Sequence, residues 1–360
     1  MTVDPNWIAN ERDTEWSAPE PDTRPLAFHR GLPDYAPSPL VELPAVAREL
    51  GLGRVFAKVE AQRLGLPAFK ALGASWAVRR ALDELGTDEP VTIVAATDGN
   101  HGRAVARFTR RFGQRAVVFV PDGVHPLAMQ AIGSEGADVV HVPGTYDDAV
   151  RAAAELGSSQ GHLLVQDTAW DGYEEIPGWI VDGYATMFAE LDDQLHAAGL
   201  AGPALVAVPT GVGSLLQAAI VHHRRPGAVR RTAVVSVEPD SAACVHASVA
   251  ARRPVTISTG TTVMAGLNCG TVSSSAWPSI DAGLDAALVT DDDAALAAID
   301  TLAECGVDAG PCGAATLAAL RGALGGGDRD RFLRHTAVGD DGAVVLLVTE
   351  SSAANPHGRQ

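Results

Sequence analysis

The sequence predicts an α/β protein made of two doubly wound, mostly parallel-sheet domains. Short β-branched runs alternate with amphipathic stretches of ten or more residues along most of the chain, the pattern of parallel strands joined by covering helices. The strand candidates are almost continuously apolar, as strands buried on both faces are. A length of 360 residues fits about two domains.

Residues 1–40 are rich in proline (Pro5, Pro19, Pro21, Pro25, Pro33, Pro37, Pro39) and read as an irregular arm laid over the surface. Strand candidates follow at Val91 to Ala96, Ala116 to Val120, Ala137 to Val142, His162 to Gln166, Ala204 to Val208, Thr232 to Val237 and Gly342 to Val348. Helical periodicity covers Ala104 to Phe112, Tyr146 to Leu156, Trp179 to His196, Leu215 to His223, Asp292 to Cys305 and Ala314 to Leu324. The expected division is a larger domain from 1–80 and 195–350, a smaller mobile domain from 81–194, and a polar tail at 351–360. Ligands of such folds bind beyond the carboxyl ends of the strands, here in the cleft between the domains.

A formal charge of -17 argues against sequence-independent binding of nucleic acid or anionic lipid, which needs clustered Lys and Arg. Paired arginines such as Arg79-Arg80 and Arg224-Arg225 read as solvated helix faces. The four cysteines, Cys244, Cys269, Cys305 and Cys312, lack C-x-x-C spacing, so neither a zinc site nor a disulfide framework is expected. Cys244 and Cys269 read as two buried thiols, with a redox-sensitive pair as the alternative. The N-terminus has acids and prolines instead of a basic stretch before an apolar core, and no apolar run approaches a membrane span. A soluble cytoplasmic protein is the expectation.

The chain contains only two lysines, Lys58 and Lys70. Lys70 stands in an apolar run, Leu66 to Ser75. Desolvation there should lower its pKa and leave a neutral amine able to attack an aldehyde, as a pyridoxal phosphate (PLP) Schiff base requires. The bland alternative is a lysine that snorkels from a helix. Polar residues and glycines gather at three strand ends. Thr97-Asp98-Gly99-Asn100-His101-Gly102 precedes a helix whose first amides suit a substrate carboxylate, with Thr97, Gly99 and His101 as candidate contacts. Gly211-Val212-Gly213-Ser214 opens another helix and suits a phosphate dianion. Asp167 follows the strand His162 to Gln166, where partial dehydration would raise a carboxylate toward general-base duty. The glycines with Glu238 also admit a dinucleotide-dependent oxidoreductase, although the third glycine of that fingerprint is missing.

Taken together, Phe69-Lys70-Ala71-Leu72-Gly73, Thr97 to Arg103, Gln166 to Trp170 with Tyr173 and Ile176-Pro177, Gly211 to Ser214, Val237-Glu238-Pro239 and Met264 to Leu267 resemble, in order, the diaminopropionate ammonia-lyases. These are PLP enzymes of the tryptophan synthase β fold type (fold type II), and the resemblance spans roughly residues 35–350. It implies that Lys70 forms the Schiff base and that Asn100 meets the phenolic oxygen of the cofactor. Gly211, Val212, Gly213 and Ser214 would hold the phosphate, and Thr349, ahead of Ser351, would meet the pyridine nitrogen. Asp98 and Asp167 would remove the α-proton from either enantiomer of 2,3-diaminopropionate, in an α,β-elimination giving pyruvate and ammonia. A homodimer is implied as well.

Two departures stand out. Where the family tends to read Ser-Gly-Glu-Ser-Gly, this chain reads Ala309-Gly310-Pro311-Cys312-Gly313, and the glycine expected after Glu350 is Ser351. They keep open a lyase or β-replacement enzyme acting on another β-substituted amino acid. A non-catalytic sensor on the same scaffold is a further alternative, but binding alone has no use for a proton-abstracting pair.

Overall fold

The computed structural model describes residues 6–86, 89–97, 99–228, 231–339 and 341–354. Asp98 therefore lies outside the described residues. Strands β1 (Trp7–Ala9), β2 (Leu40–Glu42), β3 (Arg54–Val59), β4 (Thr92–Ala96), β5 (Arg115–Val120), β6 (Ala137–His141), β7 (His162–Leu164), β8 (Leu205–Pro209), β9 (Ala233–Pro239), β10 (Ala286–Thr290) and β11 (Ala343–Val348) form two sheets. The larger has seven strands in the order β1-β10-β9-β8-β11-β3-β2, and the smaller has four in the order β6-β5-β4-β7. All pairings in the smaller sheet are parallel, and in the larger only the outer strands β1 and β2 run antiparallel to their neighbours.

The α/β class holds, and the central strands are apolar for the expected reason. β8, β9, β10 and β11 are buried at every position, with helices on both faces. The proline-rich arm departs from the irregular course expected of it. It adds β1 to the sheet edge, where Trp7 is buried edge-on against Phe332 at 5.2 Å, and contributes the helix Arg24–Arg30, with Pro25 in its first turn. Proline is tolerated there because the first amides of a helix have no partner to lose. Arg224 is no solvated helix residue either: it is buried and donates to Asp285 at 2.5 Å and to the Thr232 carbonyl at 2.7 Å.

Two helices set the position of the reactive lysine. One, Lys70–Leu85, starts at that residue; the other, Glu175–Ala197, crosses it at a glycine-to-glycine contact. A Cβ on Gly73 would stand 2.6 Å from the Tyr184 ring, and one on Gly183 would stand 2.7 Å from the Leu72 carbonyl. The glycine of Phe69-Lys70-Ala71-Leu72-Gly73 is thus a packing requirement. Backbone bonds from Phe69 N to Thr349 O (3.0 Å) and from Ser351 N to Pro67 O (2.9 Å) join the start of the lysine helix to the end of β11.

Candidate active site

Four strand ends converge on one cleft, about 860 Å³ counting the open solvent at its mouth. β4 and β7 deliver residues from the smaller sheet, β8 and β11 from the larger. After β4, the Thr97 hydroxyl accepts from Gly99 N at 2.9 Å and Gly102 N at 3.0 Å, shaping the turn into the helix Asn100–Arg111. Beyond β7, Val165 N still pairs with Val94 O at 2.8 Å, and the Gln166 side chain accepts from Ala96 N at 2.9 Å. The chain then turns, and Asp167 enters the cleft.

Lys70 Nζ donates to Asp167 Oδ2 at 2.5 Å. Burial pushes the Lys70 amine down, but the Asp167 charge, Tyr184 and the hydrogen bond outweigh it and raise its pKa above the ordinary lysine value. The expected lowered pKa is therefore corrected for this state: the apolar run is real, but a carboxylate 97 residues along the chain faces the amine. Burial likewise pushes the Asp167 carboxyl up, and in acid, where His101 is protonated, the His101 and Lys70 charges with the Lys70 hydrogen bond reverse this, to about 2.

Opposite the lysine, the loop after β8 runs into the helix Ser214–His223. Gly213 has φ +102°, a left-handed conformation that favours glycine, and a Cβ on Gly211 would come within 3.0 Å of both Cys269 Sγ and the Gly266 carbonyl. Val212 O accepts from Ser273 N at 2.8 Å, and the Ser214 hydroxyl donates to the Asp167 carbonyl at 2.7 Å. Gly211, Val212, Gly213 and Ser214 all line the cleft, so a side-chain-poor turn at a helix N-terminus shares it with a half-buried amine. Those features fit PLP, whose phosphate suits the amides and whose aldehyde suits the amine.

Asn100 and Thr349 also line the cleft, whereas Ser351 is not among its lining residues. Asn100 Nδ2 donates to Glu350 Oε2 at 2.7 Å, and Cys312 N donates to Glu350 Oε1 at 3.3 Å. A carboxylate thus reaches this wall from Glu350 although position 311 has become proline. Sequence reasoning passed over Glu350 because it treated the terminal segment only as a source of hydroxyls. It also missed Tyr184, which lies within electrostatic reach of Lys70; that tyrosine's signal was its place one turn behind Ile180 on the face that meets Gly73.

Three candidate contacts are otherwise engaged. Thr97 and Gly99 line the cleft but bond each other, and His101 Nε2 bonds the Val165 carbonyl at 2.9 Å. Glu238, the acid of the dinucleotide reading, is fully buried and accepts from Val245 N at 2.7 Å and His246 N at 2.8 Å, out of reach of a ribose. Burial pushes its pKa up to about 8. Cys244 is a buried thiol directed at the Gly211 carbonyl, 3.6 Å away. Among the described residues no cluster of three metal-ligating side chains occurs, and no helix is long and apolar enough to cross a membrane.

A parallel-sheet cleft that sets one amine against a phosphate cradle defines a PLP-dependent enzyme of fold type II. The family model described as "Pyridoxal-phosphate dependent enzyme" matches residues 32–333. Diaminopropionate ammonia-lyase of Salmonella typhimurium is 37% identical over 278 residues, 71% of this chain and 69% of the relative. The Escherichia coli enzyme of the same name is 30% identical over 92% of this chain and 89% of its own. A crystal structure of that E. coli enzyme with an aminoacrylate-PLP azomethine reaction intermediate superposes with a TM-score of 0.87 at 29% identity, covering 98% of this chain and 94% of the other. Within the PLP class, the chain belongs to the diaminopropionate ammonia-lyase family.

Proposed function

We propose that this protein is a PLP-dependent carbon–nitrogen lyase that eliminates ammonia from 2,3-diaminopropionate, the product then hydrolysing to pyruvate and a second ammonia. The observation that carries this reading is the Lys70–Asp167 pair, 2.5 Å apart in a cleft walled by the Gly211 to Ser214 turn. Bound PLP would supply an aldehyde for amines to condense with and a conjugated ring to take up the electron pair left by the α-hydrogen.

The chain's own residues do the rest. The amides of Gly211 to Ser214 would hold the phosphate, Asn100 would reach the phenolic oxygen, and Thr349 would meet the ring nitrogen. Lys70 would offer its amine to the aldehyde. Asp167, relieved of the lysine charge, accepts an α-proton, and Asp98 is assigned the opposite enantiomer. Lys70 or the other acid protonates the departing β-amine. Because Gly99 N and His101 Nε2 are engaged, the substrate carboxylate falls to the first amides of the helix Asn100–Arg111. Residues 81–194 are assigned to a mobile domain that excludes water by closing on 1–80 and 195–350. We also propose a cytoplasmic homodimer, to be checked by sedimentation.

The test is the purified protein loaded with PLP and given D- or L-2,3-diaminopropionate, with keto acid and ammonia both measured. Pyruvate with two equivalents of ammonia from both enantiomers is expected; faster turnover of another β-substituted amino acid would transfer the assignment to that substrate.

A further inference from the structure

His101 is buried and bonds the Val165 carbonyl at 2.9 Å through Nε2. A carbonyl oxygen only accepts, so Nε2 carries a proton, and in the neutral ring that burial favours Nδ1 presents a lone pair. Nδ1 has no hydrogen-bond partner among the described residues and stands 3.8 Å from Asp167 Oδ2, the oxygen that also receives Lys70. An imidazole lone pair facing a carboxylate gains nothing. Facing a carboxylic acid, it gains a hydrogen bond.

We propose that His101 is a positioning residue for Asp167, its bare Nδ1 receiving the O–H of the acid that forms when Asp167 takes the α-proton. The inference rests on the reading of Asp167 as a base. The proton moves from the substrate carbon to Asp167, the bonding pair stays with the substrate and its conjugated partner, and the new O–H turns to Nδ1. His101 thereby strengthens Asp167 as a base and draws the captured proton away from the carbon. Its own protonation would undo this by pairing an imidazolium with the carboxylate. Burial holds its pKa down; the described charged groups acting on it are Asp167, which raises it, and Lys70, which lowers it.

Two measurements test this. In ¹⁵N-histidine-labelled apoprotein, His101 should show a protonated Nε2 and an unprotonated Nδ1 through the neutral range; a proton on Nδ1 overturns the proposal without reference to catalysis. In the loaded enzyme, His101→Gln places an amide donor toward Asp167, while His101→Leu removes the acceptor. Both should shift the acid limb of the kcat/KM profile for the Asp167-dependent enantiomer down by about one pH unit and slow α-hydrogen exchange about tenfold. If Asp167→Asn stops exchange while neither His101 variant moves the limb, only this inference falls. Should Asp167→Asn leave exchange of both enantiomers intact, the base assignment falls and takes the inference with it.

Discussion

The two lysines occupy buried carboxylate sites of opposite design. Lys58 Nζ spends all three hydrogens, on the Ser38 carbonyl at 2.9 Å, Glu190 at 2.8 Å and Gln194 at 3.0 Å, with its side chain fully buried. Arg63 binds the same Glu190 and Glu60, so two cations share two acids. Burial then prevails at Lys58 and lowers its pKa, whereas Lys70, facing Asp167, has its pKa raised. Lys70 also borders the cleft and keeps 20% of its side chain exposed. A saturated lysine clamps the fold, and a lysine beside open space can exchange its partner.

The sharpest way to break that comparison is Lys70→Ala in the PLP-loaded protein. Turnover should fall by roughly a thousandfold or more and the visible absorbance of lysine-bound cofactor should vanish, with the circular dichroism of the fold kept. Lys58→Ala should do the reverse, costing about 3–5 kcal/mol in urea unfolding by stranding buried carboxylate charge, while turnover per folded molecule is retained. Asp167→Asn should cost the apoprotein about 1.5–3 kcal/mol. For the wild-type pair, the depressed Asp167 stabilises above the ordinary carboxylate pKa and loses its effect as pH falls through about 2. The raised Lys70 stabilises below the ordinary lysine pKa and loses its effect only as pH rises through its higher folded value. The difference between wild type and Asp167→Asn should therefore be flat between about pH 5 and 9, and a slope there would place the pair's titration elsewhere. Smallest of all, Arg79→Ala breaks an exposed pair with Asp83 and should change stability by no more than about 0.5 kcal/mol.

Where the sequence was legible, local chemistry and global position agreed. β4, β8, β9 and β11 are apolar runs with turn residues after them, and the glycine turn at 211–214 reports backbone demands that few other residues meet. β3 went unrecognised because Arg54 and Lys58 interrupt it, although Lys58 is fully buried by virtue of distant Glu190. β10, Ala286–Thr290, was obscured by its alanines. At the site, Lys70, Asn100 and Asp167 were singled out in the sequence and all line the cleft, but their pairings were not legible. Lys70 with Asp167 and Asn100 with Glu350 are 97 and 250 residues apart, and only the closing of the two sheets around one cleft brings them together.

The Gly73–Gly183 seam sets a direction for anyone reshaping this enzyme. Two hydrogens stand where side chains would otherwise begin, so even a methyl there pries apart the helices that aim the amine. Tyr146 and Cys312 also line the cleft and are not among the atoms that meet a Cβ on Gly73 or Gly183, so a change of size at either is the one to try for a bulkier substrate.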